Sequence, residues 1–109
     1  MNTSVNPLTQ ATTLDGPGII KVISVIGSGT MGNGIAHLFA QAGYKVNLVD
    51  INSAQLEKAV ATIGKNLDRQ IARGTLDERQ KESAINNLTT FTSLAEGVQT
   101  ADLVIEAAT

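Results

Sequence analysis

The segment Gly27-Ser28-Gly29-Thr30-Met31-Gly32 constrains this chain more than any other part of it, because three glycines at this spacing serve one local geometry. An apolar run, Val22-Ile23-Ser24-Val25-Ile26, precedes the glycines and a helix-like stretch follows them. A second apolar run, Val46-Asn47-Leu48-Val49, then ends on Asp50, 18 positions after Gly32. Alone, the glycine spacing is a weak signal. Between a strand and a helix, with a carboxylate ending the next strand, it specifies a dinucleotide-binding βαβ unit.

Each position has a physical task. Gly27 permits the tight turn that leaves the first strand, where a Cβ would be strained. Gly29 lets the backbone approach a diphosphate, and Gly32 lets the helix pack near the strand. The helix aims its unpaired N–H groups and positive dipole end at the phosphates. Ser28, Thr30 and Met31 share this loop and are expected to contact the cofactor. Asp50 is expected to accept hydrogen bonds from the ribose hydroxyls and to repel a 2′-phosphate, which selects NAD over NADP. Ile51 and Asn52 follow it, not an arginine that would welcome that phosphate.

At 109 residues the chain is expected to hold one domain at most, and an incomplete one. Its net charge of −2 gives no basic footprint, so nucleic acid is not an expected partner. The absence of cysteine removes disulfides, thiolate catalysis and zinc-finger sites, and suits a reducing cytoplasm. A metal site is not expected, and no apolar run is long enough to span a membrane. Met1 to Thr13 is polar and rich in Thr, Asn and Ser, and Asp15-Gly16-Pro17-Gly18 is a chain breaker, so residues 1–18 are taken together. They read as a flexible tail, unlike a secretory signal or a transit peptide. The NAD-binding domain is expected over 19–109.

Strand one is expected over Lys21 to Ile26 and helix one over Met31 to Ala42, with Ile35, Leu38, Phe39 and Ala42 on its buried face and Gly43 as its stop. Gly34 inside this helix costs about 1 kcal/mol relative to alanine and predicts close packing or close cofactor approach. Strand two runs from Lys45 to Asp50. Asn52-Ser53-Ala54-Gln55 then resembles a capping box, and Leu56, Val60, Ile63, Leu67 and Ile71 form one apolar stripe. Thr62, Asn66, Arg69 and Arg73 form a polar stripe beside it. Gly74 ends this helix, and Thr75-Leu76-Asp77-Glu78 opens another that runs to about Asn86. A strand from Thr89 to Thr92, a helix from Leu94 to Thr100 and a strand from Asp102 to Ala107 complete the chain. The sum is a Rossmann-type, doubly wound α/β fold in strand order 3-2-1-4, incomplete, with a two-helix arm inserted after strand two.

Four blocks carry a family resemblance: Gly27-Ser-Gly-Thr-Met-Gly-Asn-Gly-Ile-Ala36, Ala42-Gly-Tyr-Lys-Val46, Asn66-Leu-Asp-Arg69 and Asp102-Leu-Val-Ile-Glu-Ala107. Together they resemble the amino-terminal NAD-binding domain of 3-hydroxyacyl-CoA dehydrogenases, the bacterial 3-hydroxybutyryl-CoA enzymes most of all. The first block also suits 6-phosphogluconate and 3-hydroxyisobutyrate dehydrogenases. Those usually carry Asn-Arg where this chain has Asp50-Ile51, and they lack the helical excursion from Ser53 to Asn86.

The resemblance implies NAD-dependent oxidation of the 3-hydroxyl of an acyl-CoA thioester, or the reverse reduction, in fatty acid metabolism by a cytoplasmic homodimer. It implies that the excursion is an arm folding over CoA, with Asn66 and Arg73 at the matching contact positions. These two are seven residues apart and can face one ligand; an ordinary solvated helix face is the plain alternative. The family's catalytic histidine, its glutamate partner and the assisting serine and asparagine all follow the fourth strand, and nothing in this chain matches them.

His37, the sole histidine, therefore reads as a structural residue, and Glu106 as a hydrogen-bonding residue near the cleft. Ala107 is expected to pass beside the dinucleotide through its backbone. No catalytic residue is assigned, and the chain alone is expected to be inactive. A stand-alone, non-catalytic dinucleotide-binding or sensor module is the competing reading.

Overall fold

The computed structural model of the protein describes residues 19–108; the tail expected over 1–18 lies outside them. Strand β1 (Val22–Ile26) leads through the glycine loop into helix α1 (Thr30–Gln41), followed by β2 (Lys45–Val49). The arm is α2 (Ser53–Ala72) and α3 (Glu78–Asn86). Then come β3 (Leu88–Phe91), α4 (Leu94–Val98) and β4 (Leu103–Glu106). The four strands form one parallel sheet in the order β3-β2-β1-β4. Register pairs Ile23 with Val46 on one side and with Leu103 on the other.

Strand alternation sorts the side chains into two layers. Ile23, Val25, Val46 and Leu48 are almost wholly buried and join Ala36, Ala40, Leu56, Ala59, Ile63 and Leu67 in the core. On the opposite face Ser24 and Asn47 are buried, and the Ser24 hydroxyl donates to the Gly97 carbonyl of α4. A Cβ at Gly97 would collide with Val49 Cγ2, so glycine is what lets this short helix lie against β2.

The buried face of α1 differs from the expected one. Leu38 is 64% exposed and Ala42 is also exposed, whereas Gly32, Asn33, Ala36 and Ala40 are buried. Close approach of helix to sheet is the reason: the small residues at four-residue steps face the strands, and Ile35 and Phe39 pack at the flank. Gly34 does not serve close packing, since a Cβ there would meet nothing within 4 Å. In α2 the buried positions are Leu56, Ala59, Ile63 and Leu67, with Val60 only partly covered. Strand β3 starts one residue earlier than expected, and α4 ends at Val98.

Side chains close the other ends as the sequence patterns suggest. Asn52 caps α2 by accepting from the Gln55 amide, and Asp77 forms a full capping box with Gln80 on α3. Gly43 and Gly74 take φ of +105° and +80° after α1 and α2. Lys81 of α3 pairs with Asp68 of α2 at 2.7 Å, fastening the two arm helices along their exposed side.

Candidate cofactor and ligand site

The glycine loop leaves β1 with Gly27 at φ +99°, and its amide donates to the Val49 carbonyl at 2.7 Å. A Cβ on Gly27 would stand 2.7 Å from the Ala108 nitrogen, so the loop is pressed against the chain leaving β4. A Cβ on Gly32 would overlap the Gly27 carbonyl oxygen. The third glycine thus lets the loop fold onto its own first turn as well as onto the sheet. Ala107 is the buried backing of this contact: its amide donates to Ile26 at 2.7 Å, and its Cβ would lie 3.6 Å from a Cβ on Gly32.

Gly29 is different. It is the N-cap of α1, and a Cβ there would meet nothing within 4 Å. No side chain caps α1, whereas Asn52, Asp77 and Ser93 cap the other three helices. The Thr30, Met31 and Gly32 amides that open α1 therefore have no side-chain acceptor among the described residues, and no acidic side chain stands in that turn to compete. A diphosphate fits this cradle by charge and by room. Met31 is 57% exposed at its edge, next to Thr30.

Asp50 stands just past β2, beside the loop, its amide donating to the Phe91 carbonyl at 3.1 Å. Its Oδ1 accepts from the Asn52 amide at 3.0 Å. Its Oδ2 accepts from the Ser28 hydroxyl at 2.8 Å and from the Ser28 amide at 3.0 Å. The Asn52 amide above all, then the Ser28 hydroxyl and amide, hold this carboxyl below the usual carboxylate range, while partial burial works in the opposite direction. The group is a fixed negative charge at neutral pH.

A groove of about 390 Å³ runs from the loop along the arm. Ser28, Gly29 and Thr30 form one wall; Gln55, Lys58, Thr62 and Asn66 of α2 form the other. Asn33 fixes the spacing of the walls, donating from Nδ2 to the Ala59 carbonyl at 2.8 Å from a buried position. Asn66 Oδ1 accepts from Arg69 Nη1 at 2.9 Å, which leaves its Nδ2 for a ligand acceptor. Arg73 is the C-cap of α2, its Nε 3.4 Å from the Arg69 carbonyl, and does not line the groove. The structure thus brings Asn66 to the glycine loop and leaves Arg73 two turns beyond.

Reading the sequence missed Asn33, Gln55 and Lys58 as parts of this site. For Asn33 a signal existed, a polar side chain directly after Gly32 in a stripe of small residues. Lys58 carried none, since one lysine on an exposed helix face is ordinary. His37 lies away from the groove, its Nε2 at 2.9 Å from Gln41 Oε1 and 3.0 Å from Gln70 Oε1. Glu106 lies exposed in β4. A larger groove, about 560 Å³, lies between the first half of α2 and the end of β3, but no phosphate-binding loop borders it.

The family model for the 3-hydroxyacyl-CoA dehydrogenase NAD binding domain matches residues 22–109. A 3-hydroxybutyryl-CoA dehydrogenase of Bradyrhizobium diazoefficiens is 41% identical over 90 residues, which are 83% of this chain and 30% of that protein. A 3-hydroxyadipyl-CoA dehydrogenase of Escherichia coli is 39% identical over 89 residues, 82% of this chain and 18% of that one. The crystal structure of (S)-3-hydroxybutyryl-CoA dehydrogenase from Ralstonia eutropha superimposes with a TM-score of 0.79 at 43% identity, covering 83% of this chain and 31% of the other. The chain thus spans less than a third of the length of these relatives.

Proposed function

This chain belongs to the 3-hydroxyacyl-CoA dehydrogenase family as its NAD-binding domain, and from that premise we propose that it serves an enzyme moving a hydride between the 3-hydroxyl carbon of an acyl-CoA and NAD. The observation that carries this reading is the groove in which the glycine loop and the arm face each other. Gly29 and the first turn of α1 take the diphosphate of NAD, with Thr30 and Met31 at its side and Ala107 behind the loop. Asp50 takes the adenosine ribose. Bound there, NAD supplies the nicotinamide that exchanges the hydride.

The polar wall of α2 takes CoA. Asn66 donates to it from within the groove, and Arg73 meets a phosphate at the far end, seven residues and about 10 Å along the helix. CoA is long enough to span that interval. The acid–base groups of the reaction come from the part of the enzyme that this chain does not include. We place the whole enzyme in cytoplasmic fatty-acyl metabolism as a homodimer; no helix among the described residues is long and apolar enough to cross a membrane. Family membership favours this reading over a stand-alone sensor module.

Calorimetric titration tests both halves. NADH is expected to bind the 109-residue chain and CoA to bind more weakly, with turnover only when the remaining two-thirds that its relatives carry are joined to it. No heat with millimolar NADH, or turnover of acetoacetyl-CoA by the chain alone, would overturn the proposal.

A further inference from the structure

We propose that Ser28 is a positioning residue for cofactor choice: it fastens Oδ2 of Asp50 so that the carboxylate offers only its Oδ1 edge to the ribose and cannot turn away from a 2′-phosphate. The inference deepens the reading above and rests on Asp50 being the group that meets the ribose.

A carboxylate has about four lone-pair directions. Three are filled by the protein: two on Oδ2 by the Ser28 hydroxyl and amide, and one on Oδ1 by the Asn52 amide. The remaining direction is on Oδ1. Ser28 is 4% exposed, so water does not compete for its hydroxyl. An unfastened aspartate would meet NADP by rotating about its side-chain bonds and letting solvent screen the two negative groups. This one is held from the β1–α1 loop on one side and from the start of α2 on the other, and rotation would strand a buried hydroxyl. Fixing the carboxylate turns a general dislike of phosphate into a positional one. The glycine spacing needs no hydroxyl at position 28, so Ser28 adds something to the loop that its turn geometry does not require.

The donors to Asp50 come from the β1–α1 loop and the α2 N-cap, and β3 contributes the Phe91 carbonyl that takes its amide. No charged side chain among the described residues contributes to holding the carboxyl low. Removing the hydroxyl therefore has a second readout, the pH at which discrimination disappears. That pH rises when Ser28 no longer donates, a change that loosened packing alone would not produce.

The test measures dissociation constants for NAD and NADP, which survive acid as the reduced forms do not, from pH 8 down through and below the usual carboxylate range, in the 109-residue chain and in S28A, S28G and D50N. S28A and S28G, which differ in bulk but both lack the hydroxyl, are expected to lower the NAD preference about tenfold. Both are also expected to move its loss to higher pH. If D50N keeps the wild-type preference, the ribose role of Asp50 fails and this inference with it. If D50N abolishes the preference while S28A and S28G keep both the ratio and the pH midpoint of the wild type, the ribose role stands and the role of Ser28 is overturned.

Discussion

Asn33 donates from Nδ2 to the Ala59 carbonyl at 2.8 Å, a buried bond that joins the helix starting at the glycine loop to the first arm helix near the groove, while His37 and Gln70 link the same two helices farther along. The acceptor is a mid-helix carbonyl already used within α2, so the bond adds a connection without leaving a backbone group dependent on it. It sets the width of the groove between Gly29 and Asn66. Replacing Asn33 by alanine is expected to destabilise the fold by about 1–2 kcal/mol, read from the urea midpoint. Amides of α2 near Ala59 are expected to exchange faster with deuterium than those of β1. Unchanged exchange in α2 would show that hydrophobic packing alone places the arm.

Gly29 and Gly32 should respond in opposite ways to the same substitution. Gly32→Ala forces a Cβ into the Gly27 carbonyl and is expected to cost about 3 kcal/mol or more in urea unfolding. Gly29→Ala meets no protein atom and is expected to change stability by less than about 0.5 kcal/mol. Its NADH affinity should nevertheless fall by at least about tenfold, because the new methyl stands where the diphosphate goes. Equal stability losses in the two variants would contradict the described loop.

The two ends of the proposed CoA contact are separable. Asn66→Ala is expected to weaken both CoA and dephospho-CoA by about fivefold, since the lost donor serves the body of the ligand. Arg73→Ala should weaken CoA by a similar factor and leave dephospho-CoA nearly unchanged if its partner is the 3′-phosphate. Titrating both ligands into both variants decides this. An Arg73 variant indistinguishable from wild type would return that residue to the solvated helix face.

Asp102 gives the stability a pH dependence of defined sign. Its Oδ2 accepts from the Lys21 and Val22 amides, each at 2.9 Å, and these bonds hold its pKa below the ordinary carboxylate value. A lowered folded-state pKa contributes stability that is fully present above the unfolded value, near 4. That contribution is lost as the pH falls through the folded value. Asp102→Ala is therefore expected to melt earlier than wild type at pH 7, and the gap between the two melting temperatures should narrow as the pH falls below the unfolded value. A gap that stays constant there would mean that the carboxylate charge plays no part.

Most of the architecture was legible in sequence because it rests on local rules. Glycine punctuation, caps such as Asn52 and Asp77, and two clean apolar periods gave the elements and their order. What stayed hidden depends on how close the elements come. The face of α1 was misjudged because Leu38 is bulky and apolar while the surface that meets the sheet is built from Gly32, Ala36 and Ala40. Periodicity weighs hydrophobicity, and close packing selects smallness instead. Similarly, Ser28 and Asp50 were each legible as neighbours of a cofactor, but their bond spans 22 positions and exists only once β1 and β2 lie side by side. Lys58 joins the groove for the same reason: only the docking of α2 against α1 brings it opposite Gly29.

Because all four strands run the same way, the sheet has two rims with unlike duties. Gly27 and Asp50 stand past the ends of β1 and β2, whereas the Asp102 clamp closes the rim where β1 and β4 begin. Substitutions around Lys21 and Asp102 can retune how long the protein lasts without altering what it grips, and those around Ser28 and Asp50 can alter its grip while the far seam stays shut. A laboratory wanting a hardier or a re-specified version of this domain would work on opposite rims.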